Sequence, residues 1–220
     1  MSAKKNAVNA IKKLKTLFVD DQEANELLDQ LNSKAGMLSD EKLQSNDTKY
    51  EDVASMPLPE EVVSSNAYAL FSDGACRGNP GPGAYGALGQ MPNADKLFEA
   101  SGVELRTTNN QMELKGAIVA LDKILSCWEE GSLEVGAVFL YSDSKYVVDG
   151  IQKWVPGWKR RGWKKADNKA PENLDLWQEL DVLVSKFDEL QFKWVKGHSG
   201  HPQNEFCDQL ANKSLDESGF

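Results

Sequence analysis

Apolar positions recur along this chain in two periods, and the change of period divides it. Val8, Ile11, Leu14, Leu17 and Phe18 fall at helical spacing among Lys4, Lys5, Lys12, Lys13 and Lys15. Ala24, Leu27, Leu28 and Leu31 repeat that spacing on an acidic segment, so the pattern predicts a basic helix and then an acidic one, with a break over 19–22. Asp47 to Asn66, with its acids, serines, Pro57 and Pro59, reads as a linker. From Tyr68 the period shortens. Tyr68-Ala69-Leu70-Phe71 predicts a buried strand, and a second apolar run, Ala84 to Leu88, resumes after a stretch rich in glycine and proline. The two runs read as a hairpin with Asp73 at the end of its first strand.

Lys96 to Val103 predicts a third strand. Asn109 to Trp128 carries Met112, Leu114, Ala117, Ile118, Leu121, Ile124 and Leu125 at helical period, behind the polar caps of 106–110. Val135 to Tyr141 is apolar enough for a central strand, and a helix over Lys145 to Trp154 follows it. Leu190 to Val195 alternates as a strand, and Glu205 to Leu215 reads as a closing amphipathic helix.

Length and composition narrow the class. The 220 residues, 40% of them apolar, allow one ordinary globular domain with an appendage. All six tryptophans lie beyond residue 66, and residues 1 to 66 contain no arginine, which sets them apart as a small accessory bundle or extension. Cys76, Cys127 and Cys207 are odd in number and share no metal-like spacing, so reduced thiols in a cytoplasmic protein are expected. No run of eighteen apolar residues occurs, and neither an export signal nor a membrane span is expected. A net charge of −9 argues against a uniformly basic surface, yet residues 153–169 hold seven cations against Asp167 alone, interleaved with Trp154, Trp158 and Trp163. Such a local patch suits the phosphate backbone of a nucleic acid.

The candidate chemistry lies in four acids. Asp73 and Asp143 each follow a serine at the end of an apolar run, while Glu113 and Asp208 sit in the first turns of predicted helices. Singly, each is explained by a turn, a cap or the helix dipole. If the two strands are parallel neighbours, both aspartates reach one end of a sheet, where ligand sites concentrate. A pack of carboxylates without soft ligands suits a hard divalent cation, Mg²⁺ or Mn²⁺.

Four segments then occur in one order: FSDGACRGNPGPGAYG, RTTNNQMELKGAIVAL, YSDSKYVVDGIQKWVPGWKRRGWKKADNKAPENLDLW and WVKGHSGHPQNEFCDQLAN. Together they resemble the successive signatures of type 1 ribonuclease H, particularly the bacterial enzymes. The likeness covers 67–217 and leaves 1–66 unassigned. It implies an α/β fold with a mixed five-stranded sheet, three antiparallel strands followed by two parallel ones, flanked by helices. It implies hydrolysis of the RNA strand of RNA/DNA hybrids, leaving 5′-phosphate and 3′-hydroxyl ends; separately, a monomer is expected. Asp73, Glu113, Asp143 and Asp208 would hold two Mg²⁺ ions, or Mn²⁺, roughly 4 Å apart. His198 matches the family's histidine in the loop before the last helix, assigned to proton handling or product release. Trp154, Lys159, Arg160, Arg161 and Lys164 fall in the basic protrusion that contacts the DNA strand, with Thr108 and Asn109 near a DNA phosphate. Cys76, Asn79 and Asn110 match groove-facing positions that meet RNA 2′-hydroxyls. Two residues depart from the pattern: Gln111, where bacterial members often carry a basic residue, and Lys145, where an amide is common. Residues 1–66 are a candidate module for a protein partner or a second nucleic-acid contact. A hybrid-binding protein without activity is the competing class, disfavoured because binding alone gives no reason to gather four acids beside an anionic substrate.

Overall fold

A computed structural model describes residues 11, 15, 25, 27–29, 53, 56–197 and 199–220. It divides into two compact units, Met1–Glu51 and Asp52–Phe220. In the first, the described residues are helical, Lys15 pairs with Asp29, Leu28 is buried and Leu27 is exposed. The remaining members of the two expected apolar stripes, and the break over 19–22, lie outside the described residues.

The second unit opens earlier than the expected boundary. Val53, Met56 and Val62 are buried, Val62 completely, on a short helix α1 (Glu60–Ser64) and the residues before it. Of the stretch read as linker from its prolines and acids, Val53 and the residues from Met56 onward are therefore part of the packed body. The apolar residues of that stretch were too few for a periodicity to appear.

Five strands follow: β1 (Tyr68–Cys76), β2 (Gly81–Gln90), β3 (Lys96–Thr107), β4 (Val138–Ser142) and β5 (Leu190–Trp194). They form one sheet in the order β3-β2-β1-β4-β5. The pairs β1–β2 and β2–β3 are antiparallel, while β1–β4 and β4–β5 are parallel. This is the mixed sheet expected from the sequence. Its hairpin is longer, because Gly81, Gly83 and Gly86 belong to β2 and only the residues from Arg77 to Pro80 turn. Asp73 accordingly sits inside β1, opposite Gly86, and not at the strand's end.

Helix α2 (Asn109–Glu129) begins with a capping box: Thr108 Oγ1 accepts from Gln111 N, and Gln111 Oε1 accepts from Thr108 N. Gln111, the residue that departs from a basic family position, thus has a structural use. The apolar stripe of α2 lies on β1 and β2 and, with Leu70, Leu140, Trp177 and Leu180, makes the main core. Beyond β4, α3 (Lys145–Asp149) widens into a π-helical turn, Gly150–Trp154, and continues as α4 (Val155–Arg160). The expected single helix is interrupted there. Helix α5 (Leu174–Val184) brings Trp177 and Leu180 under α2, and α6 (Pro202–Glu217) packs on β1, β2 and β3.

Candidate active site

Side chains alternate across a strand, so Ser72 and Gly74 face one side of the sheet and Asp73 the other. The first turn of α2 crosses the Gly74 side so closely that a Cβ there would fall 2.5 Å from Glu113 N. On the opposite side α6 presses on Gly86, where a Cβ would meet the Cys207 carbonyl oxygen at 2.0 Å. These two close approaches carry Glu113 and Asp208 to Asp73 from different directions. Asp143 arrives by strand register. Phe71 and Tyr141 are the last parallel pair of β1 and β4, and each acid follows two residues later.

The result is a crowd of negative charge. Asp73 is buried, and its carboxyl is pushed up to about 8, first by burial and then by Asp143, with Asp208 and Glu113 adding to the rise against the Gly74 N–H that donates to Asp73 Oδ1 at 2.7 Å. Burial likewise raises Glu113, and Asp143 adds to it. Donors hold three of the four acids in place. Glu113 accepts from Asn109 Nδ2 at 2.8 Å and from Ser144 Oγ at 2.5 Å. Asp73 Oδ2 accepts from Asn204 Nδ2 at 3.3 Å, and Asp208 Oδ1 from Asn212 Nδ2 at 2.9 Å.

The donor set fits a hard divalent cation. It is made of carboxylate oxygens, and their mutual repulsion in a buried setting is what a bound cation would relieve. Among the described residues no three His, Cys, Asp or Glu side chains close into a ready-made cage.

The groups around the acids are placed as follows. Asn79 Oδ1 accepts from Asn109 N at 3.3 Å, tying the β1–β2 turn to the start of α2. Cys76 Sγ donates to the Gly78 carbonyl at 2.6 Å, and burial raises its thiol, so it is a neutral group beside the turn. Asn110 is half-buried in the first turn of α2. Lys145 stands 4.7 Å above the Trp194 ring, whose Nε1 donates to the Asp143 carbonyl at 2.9 Å. Trp154 is 38% exposed on the π-helical turn, its ring 5.8 Å from that of Tyr146 and 6.0 Å from that of Trp158. Of the basic residues after it, Lys159 pairs with Asp181 at 2.7 Å, Arg161 Nε donates to the Lys164 carbonyl at 3.1 Å, and Arg160 and Lys164 are exposed. His198 lies outside the described residues; its neighbour Gly197 packs against the Asp143 carboxylate. The supporting groups Ser144, Asn204 and Asn212 were not singled out from sequence. Ser144 could have been found as the cap of α3, which it is, but Asn204 carried no local signal.

Comparison with known proteins identifies the family and supports the fold. The family model described as RNase H matches residues 65–216. A ribonuclease H of Alcanivorax borkumensis is 50% identical over 148 residues, covering 67% of this chain and 91% of the relative. Among solved structures, a type 1 ribonuclease H with the type 2 active-site motif, LC9-RNase H1, is 34% identical with a TM-score of 0.59, over 73% of this chain and 75% of that one. The N-terminal RNase H domain of a Mycobacterium tuberculosis protein, solved as a fusion with maltose binding protein, is 30% identical with a TM-score of 0.53, over 70% of this chain and 96% of that one. The chain belongs to the ribonuclease H family, and it is a nuclease.

Proposed function

We propose that this protein hydrolyses the RNA strand of RNA/DNA hybrids with two divalent cations, Mg²⁺ or in its place Mn²⁺, held by Asp73, Glu113, Asp143 and Asp208. The observation that carries the reading is the convergence of carboxylates from β1, α2, β4 and α6 on buried Asp73. Held by these four carboxylates, the cations would supply activation of a water and stabilisation of the charge that builds on the phosphate and on the leaving oxygen. The protein's part is placement. Ser144 and Asn109 keep Glu113 oriented, and Asn204 does the same for Asp73. The water oxygen bonds to phosphorus, the P–O bond to the 3′ oxygen breaks, and the products are a 5′-phosphate and a 3′-hydroxyl. His198 is assigned to proton handling or product release.

The substrate assignments follow the same reading. Cys76, Asn79 and Asn110 line the RNA side near Asp73, where 2′-hydroxyls separate RNA from DNA. Thr108 and Asn109 at the start of α2, with Trp154, Lys159, Arg160, Arg161 and Lys164, face the DNA strand. Trp154 joins the two regions through Tyr146, which follows Asp143 by three residues. The first unit, residues 1–51, is assigned outside the chemical step, as a module for a protein partner or a further nucleic-acid contact. The protein acts as a cytoplasmic monomer.

The test is cleavage of a strand-labelled hybrid with Mg²⁺, Mn²⁺ or chelator, using the intact protein and Asp73→Asn, with single-stranded RNA and duplex DNA as controls. Metal-dependent cutting of the hybrid's RNA strand alone, lowered at least about a thousandfold by Asp73→Asn, is expected, given that metal and electrostatic terms supply most of the barrier reduction. A folded protein that binds hybrid without cutting it under either metal would return the chain to the binding class.

A further inference from the structure

Two glutamines at the foot of α6 are buried completely, and neither is explained by the acids. Gln203, on the first turn of α6, donates through Nε2 to the Pro57 carbonyl at 2.9 Å and to Gln90 Oε1 at 3.0 Å. Gln90, the last residue of β2, donates in turn to the Val53 carbonyl at 3.1 Å and to the Ala94 carbonyl at 2.9 Å. The same N-terminal segment is pinned a second time, where Tyr141 Oη donates to Glu61 Oε1 at 2.9 Å, and Met56 and Val62 are buried along it. Burying a polar side chain without partners is costly, so this chain of amides fixes the distance between the segment, the end of β2 and the start of α6. The next residue of α6 is Asn204, whose amide donates to Asp73, and Asp208 lies little more than one turn further on.

We infer that Val53 and Met56 to Val62 form a brace for the active site, and that Gln203 is the positioning residue through which it sets Asn204 and Asp208 against Asp73. The inference rests on the proposed metal-dependent nuclease reading of those acids. Gln203 touches no substrate in this scheme; it acts through its neighbour. Removing its hydrogen bonds lets the first turn of α6 shift, which loosens the cation site while leaving the hybrid-facing surface of α2 and α4 as it was. The expected signature is therefore weaker metal binding and lower kcat at nearly constant KM.

The experiment compares the intact full-length chain with Gln203→Met, which keeps volume and loses both hydrogen bonds, and with Leu183→Ala, a core truncation on α5. Mg²⁺ binding is read by calorimetry on the metal alone, with kcat, KM for hybrid and Tm measured in parallel. Gln203→Met should weaken Mg²⁺ binding and lower kcat by about tenfold, the size expected of a lost supporting contact, with KM within about twofold. Leu183→Ala should lower Tm and leave Mg²⁺ affinity unchanged. Equal Mg²⁺ affinity and kcat in Gln203→Met and the intact chain, with only Tm reduced, would overturn the brace. Should Gln203→Met fail to fold, Tyr141→Phe decides instead. It frees Glu61 without touching α6, so Mg²⁺ affinity reduced by about twofold or more supports the brace, and unchanged affinity removes it. An intact chain that binds Mg²⁺ but leaves hybrid uncut would sink the nuclease reading while the metal titrations still judge the brace, and one that binds no Mg²⁺ would sink both.

Discussion

Ser144 serves the fold and the site through one hydroxyl. Its oxygen accepts from Val147 N at 3.2 Å, capping α3, and donates to Glu113 at 2.5 Å. Ser144→Ala should cost about 1 kcal/mol as a lost cap. It should also push the Glu113 carboxyl further up, since burial already raises it and this donor is the main contact holding it down. Denaturant unfolding and an Mg²⁺ titration of activity check the two effects separately; a stability loss with an unmoved metal requirement would reduce Ser144 to a cap. His201 offers a test by pH. Its ring lies 5.7 Å from that of Phe71 and 5.9 Å from that of Tyr141, and Nδ1 finds no partner among the described residues. Burial lowers its pKa, against the opposing pull of Glu205 and Glu61. A depressed folded-state pKa means that the neutral ring contributes stability above the unfolded value of about 6.5, and that this is lost as pH falls from there through the folded value. Tm should drop over that window, and His201→Phe should flatten the drop; an unchanged pH profile in the variant would show that the ring's charge state is not what stability follows. The four acids were legible as residues because serine-aspartate pairs and helix-start acids are local features. Asn204, whose relevance depends on β1 coming underneath it, was not.

At the scale of elements, the site exists because two helices come closer to the sheet than side chains ordinarily permit. Gly86→Ala would place a methyl against the α6 backbone at Cys207, which cannot rotate away. Overpacking of this kind costs roughly 1–3 kcal/mol, and a displacement of α6 by even half an ångström moves Asp208 and Asn204 together. Turnover should fall by tenfold or more, about what misplacement of catalytic groups produces, with a Tm loss of several degrees. Activity retained alongside a lowered Tm would mean that α6 yields without carrying the acids away. The strands and α2 could be read in advance because their apolar periods are long and uninterrupted. Helix α5 went unread although Leu176, Leu180 and Leu183 recur at helical spacing and face the core. It directly follows the basic, tryptophan-bearing segment whose charge dominates that part of the sequence. The π-helical turn over Gly150–Trp154 could not be read at all; the Trp177 ring packs against Gly150 there, a contact between elements more than twenty residues apart.

For the whole molecule, the boundary between appendage and enzyme is the point on which sequence and structure part. Composition puts it near residue 66, because prolines, acids and serines crowd 47–66 and tryptophans begin later. Packing puts it at Asp52, because Val53, Met56 and Val62 are buried and Glu61 and Pro57 accept hydrogen bonds from Tyr141 and Gln203. The two boundaries predict different outcomes for two truncations. Removing residues 1–51 should leave Tm of the remaining unit within about 2 °C and turnover on saturating hybrid unchanged, since no contact of the second unit's own packing is lost. Removing residues 1–66 takes away three buried apolar side chains and the hydrogen bonds that order them. Burial of one such side chain is worth about 1.5–3 kcal/mol, part of it offset by the entropy of fixing the segment. A net loss of about 3 kcal/mol corresponds to roughly 6–12 °C in a unit of this size. Thermal unfolding of both truncations beside the full chain reads the difference directly. Equal Tm values for the two would mean that Val53 and Met56 to Val62 lie on the enzyme without stabilising it, and the sequence-based boundary would then be the thermodynamic one.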